Sequence, residues 1–340
     1  MESVSREQRI QTVCLLILST VAVAVALWWL RPILIPFVLA SIFAISLAPL
    51  LDLQTRYLHV PRSLAVLATL VFGIVLLGLI GGLVSLSVQQ LTTHADTYQA
   101  QIRQLLDSTT TVLIRFGLHP ERLLKTLEQL PIGTVSGMLL DTTNAIVGLL
   151  SQGLLMLVFL GFLLVGGTAR IRPSGGVWGE IESRVRRYIL AKVLLSTLTG
   201  LLVGAILMIL GVDLALVFGL FAFLLNFIPS VGSIVATLLP LPVVWMSPDV
   251  SATTALLAIV VPAVVQLLLG NIVEPRIIGG SLDLHPVVIL LALIIWGMLW
   301  GIIGMFLATP LTAIMKILCE KLELTAPVAE LLAGRLDVLR

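Results

Sequence analysis

Charge is scarce in this sequence. Asp, Glu, Lys and Arg make up 11% of its 340 residues and leave a formal net charge of +2. So small an excess, gathered at a few positions rather than along one face, argues against a nucleic-acid partner. Cysteine is scarce too: Cys14 and Cys319 lie near opposite ends with no metal-ligand spacing around them, so neither a disulfide framework nor a metal site is expected. The four histidines, His59, His94, His119 and His285, stand alone near turns. No Gly-x-Ser-x-Gly, no His-Glu-x-x-His and no phosphate loop ending in Gly-Lys-Ser/Thr occurs. These gaps argue against an enzyme, call for no cofactor, and leave an ATP-driven pump dependent on a second chain.

What the sequence has instead is apolar length. Hydrophobic residues make up 59% of the chain and the mean hydropathy is +1.13, more apolar surface than any soluble domain needs. Seven or more long stretches carry almost no charge. The fold class expected is all-α: a polytopic helical membrane protein with about seven to nine spans, some of them broken or re-entrant, held in a lipid bilayer. A span takes about 20 apolar residues, and residues 13–30, 33–51 and 63–88 supply the first three. The first follows Arg6 and Arg9 as a signal peptide would, but it is long enough to cross, runs on through Arg31-Pro32, and lacks a small-residue cleavage pattern. It reads as a retained helix.

Charges return over residues 89–143, where Ile102, Leu105, Leu106, Val112, Leu113 and Phe116 recur at helical spacing, followed by Leu123, Leu124, Leu127 and Leu130. This is expected to be a small amphipathic helical insert in water. The chain re-enters the membrane at residues 144–167 and reaches a connector with Arg170, Arg172, Arg184, Arg186, Arg187 and Lys192, the strongest basic cluster present. The positive-inside rule makes that connector cytoplasmic, the insert extracytoplasmic and both termini cytoplasmic. The expected organisation is scaffold helices at 1–88, the insert at 89–143, a transport core at 144–318 and a cytoplasmic tail at 319–340.

Residues 214–248 hold no Asp, Glu, Lys or Arg, yet Asn226, Pro229, Ser230, Gly232, Pro240 and Pro242 interrupt them. In hydrocarbon a broken helix survives only where protein or a wet cavity receives its freed backbone groups. A re-entrant hairpin or two half-helices are expected at 230–246. Residues 271–286 read as a polar loop containing Asn271, Glu274, Arg276, Asp283 and His285. Residues 287–315 exceed one crossing and suggest a hairpin with its tip near Trp296 to Trp300, ending at Thr309-Pro310. Paired interruptions of this kind point to a solute site near the membrane midplane. The candidate solute-binding residues are Asn226, Pro229, Ser230, Gly232, Asn271, Thr309 and Pro310. Glu274 and Arg276, flanking Pro275, are candidates for a gating or ion-coupling pair, and Asp283 and His285 for further coupling groups. For Asn226 the plainer reading is an interhelical hydrogen bond; for Gly297, Gly301 and Gly304 it is close helix packing.

Three stretches carry a family likeness: Asn226-Phe-Ile-Pro-Ser-Val-Gly232, Asn271-Ile-Val-Glu-Pro-Arg-Ile-Ile-Gly279 running on to His285-Pro286, and Trp296-Gly-Met-Leu-Trp-Gly-Ile-Ile-Gly304 through Ala308-Thr-Pro-Leu311. In order and spacing they resemble the autoinducer-2 exporter family of bacterial multi-pass transporters. The layout extends over the whole chain, while the specific motifs cover its last third. Asp283 stands where that family usually has a small residue. The resemblance implies an inner-membrane homo-oligomer, a pentamer, that exports or exchanges a small polar solute as a mobile unit slides against a fixed scaffold. Autoinducer-2 is the leading solute by this resemblance. Sodium or lithium in exchange for protons is an alternative, and a non-transporting scaffold that docks partners through residues 89–143 is another.

Overall fold

The computed structural model describes residues 6–57, 59–93, 135–166, 176–246, 251–278, 283–321 and 325–335. The helical insert expected at 89–143 falls largely outside them. The described chain is helical throughout: α1 (Arg6–Trp29), α2 (Arg31–Tyr57), α3 (Arg62–Thr93), α4 (Val135–Val165), α5 (Val177–Ile209), α6 (Ala215–Leu225), α7 (Val231–Leu238), α8 (Leu241–Met246), α9 (Ala252–Leu268), a π-helical turn (Leu269–Val273), α10 (Glu274–Ile278), α11 (Pro286–Glu320) and α12 (Ala326–Ala333). Four stretches are long and apolar enough to cross a membrane, Arg62–Leu83, Val177–Ile209, Ala252–Ile278 and Pro286–Glu320. A fifth is a bent pair, α1 and α2, which meet at 84°. Shorter apolar helices accompany them at Leu150–Val165, Ala215–Leu225 and Val231–Trp245. The all-α polytopic class stands, with the interrupted segments among its spans. Large side chains such as Phe72, Phe162 and Ile209 lie exposed, as expected where lipid rather than water is the neighbour.

The chain divides into two compact units, one of Met1–Leu70, Leu154–Ala191 and Ile278–Arg340, the other of Val71–Gly153 and Lys192–Ile277. In the second, the α5 residues Lys192, Ser196, Thr199, Val203 and Leu207 recur at helical spacing and are all buried. Helix α6 reaches that face closely through glycine: a Cβ on Gly219 would stand 2.8 Å from the Gly200 carbonyl oxygen and 2.9 Å from the Gly204 Cα. A small-xxx-small pair on one helix meeting a glycine on the next lets backbones touch. Val203, Leu207, Phe218, Ala222, Ala236 and Ala258 form the core around this contact.

Helices α6 and α7 form a hairpin. At 11 residues, α6 is about 16 Å long, far short of a bilayer crossing. The chain then reverses over residues 226–230, so that a Cβ on Gly232 would overlap the Leu225 carbonyl. Ser230 takes φ of 60°, a value that costs a residue with a side chain about 1–3 kcal/mol. The hairpin thus runs over residues 215–246 with its tip at the Pro229 break. The sequence reading placed it at 230–246 because α6 alone looked long enough to span. Pro240 separates α7 from α8, which gives the two expected half-helices.

In the first unit α11 also folds back. Trp296 Nε1 donates to Thr312 Oγ1 at 3.3 Å although 16 residues separate them, whereas a straight helix would hold them about 24 Å apart. The reversal is at Gly301, with φ 67° and ψ −147°, a region open almost only to glycine. The tip lies one residue beyond the stretch expected from sequence. Gly297 and Gly304 are the packing notches: a Cβ on Gly297 would meet the Met305 side chain at 2.9 Å, and one on Gly304 would overlap the Trp296 carbonyl. Residues 271–278, read from sequence as loop, are helical instead, because the apolar run from Ala252 continues through the π-turn into α10.

Candidate functional site

The hairpin tip opens onto a cavity of about 120 Å³ within the second unit. Its wall comes from three places: Lys192 on α5; Asn226, Ile228, Pro229, Ser230 and Ser233 on the hairpin; and Gln266, Gly270, Asn271 and Glu274 on α9, the π-turn and α10. A polar cavity of that size has room for several waters. The local sequence explains each contribution. The break at Pro229 stops α6 and leaves its C-cap residue, Asn226, on the wall. Pro262 lies buried inside α9, where it withholds an N–H from the carbonyl one turn earlier. The π-turn adds a residue to the next turns, a device frequent at functional sites. It lets positions 266, 270, 271 and 274 share one wall.

Two ion-pair partners and two amides set the electrostatics. Lys192, 1% exposed, donates to Glu274 Oε1 at 2.5 Å. The positively charged connector expected from sequence therefore does not include Lys192: it lies within α5, its burial balanced by a carboxylate. Nor do Glu274 and Arg276 pair with one another, since helical geometry turns Glu274 inward while Arg276 stays exposed. Glu274, placed by the sequence in a polar loop, lies within a candidate span, Ala252–Ile278. Asn226, 7% exposed, donates through Nδ2 to Ser196 Oγ at 3.0 Å. It is thus both an interhelical tie and a part of the wall. Gln266 is 5% exposed, and both its amide atoms are buried without a hydrogen-bond partner among the described residues.

Of the residues singled out from sequence, Asn226, Pro229, Ser230, Asn271 and Glu274 come together on this cavity. Gly232 is buried just behind it, held against the Leu225 carbonyl. Lys192, Gln266 and Ser233 escaped the sequence reading. A signal for the first existed, since Lys192 is in phase with the buried stripe of α5; for the second it was a lone glutamine in an apolar run.

Thr309, Pro310, Asp283 and His285 belong to the other unit. Thr309 and Pro310 are buried within α11, and the Thr309 hydroxyl has no partner among the described residues, so it does not re-satisfy the carbonyl that Pro310 leaves. Asp283 accepts from Lys316 Nζ at 2.7 Å and from Arg335 at 3.1 Å. Lys316 is 1% exposed and also pairs with Glu320 at 3.0 Å. The hydrogen bond from Lys316 holds the Asp283 carboxyl below the usual carboxylate range against a smaller opposing effect of burial, with Arg335 and Arg184 adding to the lowering. His285 caps α11, its Nδ1 accepting from the Val287 N–H at 3.3 Å, a structural role. Among the described residues no three His, Cys, Asp or Glu side chains gather as a metal site would require.

Residues 17–323 match the family described as AI-2E family transporter. The AI-2 transport protein TqsA of Escherichia coli (strain K12) is 33% identical over 303 residues, covering 85% of this chain and 86% of that protein. "Putative transport protein YhhT" of the same organism is 29% identical over 297 residues, covering 85% and 84%. YrrI of Bacillus subtilis (strain 168), named likewise, is 27% identical over 340 residues, covering 90% and 93%.

Proposed function

This chain belongs to the AI-2E family of transporters, a multi-pass membrane family rather than an enzyme family, and from that premise we propose that it is a secondary transporter exporting or exchanging a small polar solute. The observation that carries the proposal is the cavity at the tip of a broken helical hairpin, walled by Asn226, Ser230, Gln266, Asn271 and the Lys192–Glu274 pair. A hydrated pocket with few net charges suits a solute held by amides, hydroxyls and helix ends. The leading solute is autoinducer-2 or a similar metabolite, a reading supported by the name and likeness of TqsA. On this reading residues 1–88 act mainly as scaffold and 144–318 as transport core. The core alternates by an elevator-like slide within a homo-oligomer, a pentamer by family resemblance, in a bacterial inner membrane with both termini cytoplasmic. Thr309 and Pro310, on the second hairpin, remain candidate solute contacts on this reading.

The test is solute flux in vesicles carrying the purified chain. Asn226→Ala and Thr309→Val should each depress uptake and efflux of autoinducer-2 while the protein stays folded; unchanged flux in both rejects this placement. One observation favours a second reading, sodium or lithium exchange for protons: Glu274, paired with Lys192, lies in a candidate span, where a carboxylate marks a functional site and proton relays use such groups. Sodium-driven collapse of a pH gradient that disappears in Glu274→Gln would put this reading first. Deleting residues 89–143 separates both from a partner-docking scaffold, which would lose its partners while a transporter keeps its flux.

A further inference from the structure

Lys192 and Glu274 are the only charged side chains on the described wall of the cavity, and they are spent on each other. An anion entering would have to draw the Lys192 ammonium away from Glu274 and leave that carboxylate uncompensated. A cation would do the reverse to a lysine that is 1% exposed. Separating a buried pair in this way is strongly unfavourable, so the resident pair discriminates against ions of either sign. The remaining polar wall is of amides and hydroxyls. Asn226 has committed Nδ2 to Ser196, while Ser230 stays exposed at the hairpin tip.

Gln266 is the unexplained member of this wall. Its carboxamide offers two donor hydrogens and an acceptor oxygen side by side, yet both ends lie sealed and unpartnered. Such a group gains by any motion that finds it a partner. The glutamine side chain carries three rotatable bonds, and the hollow next to it is the cavity. A pair of adjacent hydroxyls matches the carboxamide edge, one accepting from the N–H and the other donating to the carbonyl. We infer that Gln266 selects the solute, turning its carboxamide into the cavity to bind an uncharged molecule with vicinal hydroxyl groups. This rests on the transporter reading and narrows it to a substrate class.

The experiment uses the full chain in vesicles, with Cys14→Ser and Cys319→Ser removing the native thiols and Ser230→Cys placing one at the hairpin tip. The rate of reaction with N-ethylmaleimide is measured alone and with glycerol, erythritol or xylitol, with glycerate as the anionic probe and choline as the cationic probe. The thiol should react readily and at least one polyol should slow it several-fold. Glycerate and choline should have no effect. Adding Gln266→Leu should abolish the protection without changing the unprotected rate. A thiol that does not react denies a wet cavity and removes the transporter placement together with this inference. A reactive thiol that no polyol protects, that an ion protects instead, or whose protection survives Gln266→Leu overturns the inference alone and leaves the transporter reading in place. Gln266→Glu supplies the second variant: its added negative charge should transfer protection from the polyols to choline, and retained polyol protection would count against the assigned role.

Discussion

Removing one partner of the Lys192–Glu274 pair should cost very different amounts depending on which partner goes. Lys192 is 1% exposed and the Glu274 side chain 23%. Glu274→Gln leaves a hydrogen-bond acceptor but no countercharge beside an ammonium that is almost wholly buried. Breaking a buried pair in this direction costs about 3–5 kcal/mol. Lys192→Met leaves a carboxylate that still touches solvent and an apolar chain that fits the stem of the lysine, so the loss should be nearer 1–2 kcal/mol. The double variant Lys192→Met/Glu274→Gln contains no uncompensated charge and should be more stable than Glu274→Gln alone, a coupling that a double-mutant cycle isolates. The assay is reversible unfolding in mixed micelles with increasing dodecyl sulfate, followed by far-ultraviolet circular dichroism. Equal losses for the two single variants, or a double variant whose loss is the sum of both, would refute the reasoning. Either outcome would mean that Lys192 is solvated well enough in the folded protein to stand without Glu274.

Three further outcomes follow from the same structure. Gln266→Leu should raise stability by about 1–3 kcal/mol in that unfolding assay, since it deletes a buried unpartnered carboxamide; a loss of stability would show that the amide is satisfied in the folded protein. Gly232→Ala and Gly304→Ala each drive a methyl group into a backbone carbonyl and should lose at least about 2 kcal/mol or fail to fold, whereas Gly78→Ala meets nothing within 4 Å and should be neutral or gain up to about 1 kcal/mol from helix propensity; the comparison is read by unfolding and by yield of folded protein. Because the folded-state pKa of Asp283 is lowered, its stabilising contribution is fully present above the pKa of an unfolded aspartate and is lost as pH falls through the lowered value. Asp283→Asn should therefore flatten the acid limb of the stability profile, and an unchanged acid limb would contradict the pairing with Lys316 and Arg335.

Much of this fold was legible because the bilayer leaves few options. Uncharged length marked the helices, Pro229 marked one of the places where they break, and Gly297 and Gly304 were readable as packing notches. The interruptions were correctly read as the distinctive feature, and Asn226, Ser230, Asn271 and Glu274 do share one cavity. What stayed hidden depends on tertiary pairing. Lys192 belongs to a basic cluster in sequence, and its phase with the buried stripe of α5 sets it apart from its arginine neighbours, but its pairing with Glu274 shows only in the packing. Glu274 and Arg276 flank a proline and look like partners across a turn; the continuation of α9 through a π-turn rotates them to different faces. Gln266 carries no motif at all. Its interest comes from what surrounds it, which no local pattern records.

The reversal at Gly301 also bears on how the chain is made. The limb Pro286–Trp300 is about 22 Å of helix, too short to traverse a hydrocarbon layer of about 30 Å, so it cannot be secured in the bilayer by itself. Its stable companion is the returning limb, and the tie that closes their open ends joins Asp283 to Lys316, 33 positions later. At about 5–20 residues per second of synthesis, the aspartate waits roughly 2–7 s for its lysine to leave the ribosome. During that interval the half-made hairpin depends on the insertion machinery for shelter, and a ribosome stalled before Lys316 would strand an apolar rod with nothing to close it.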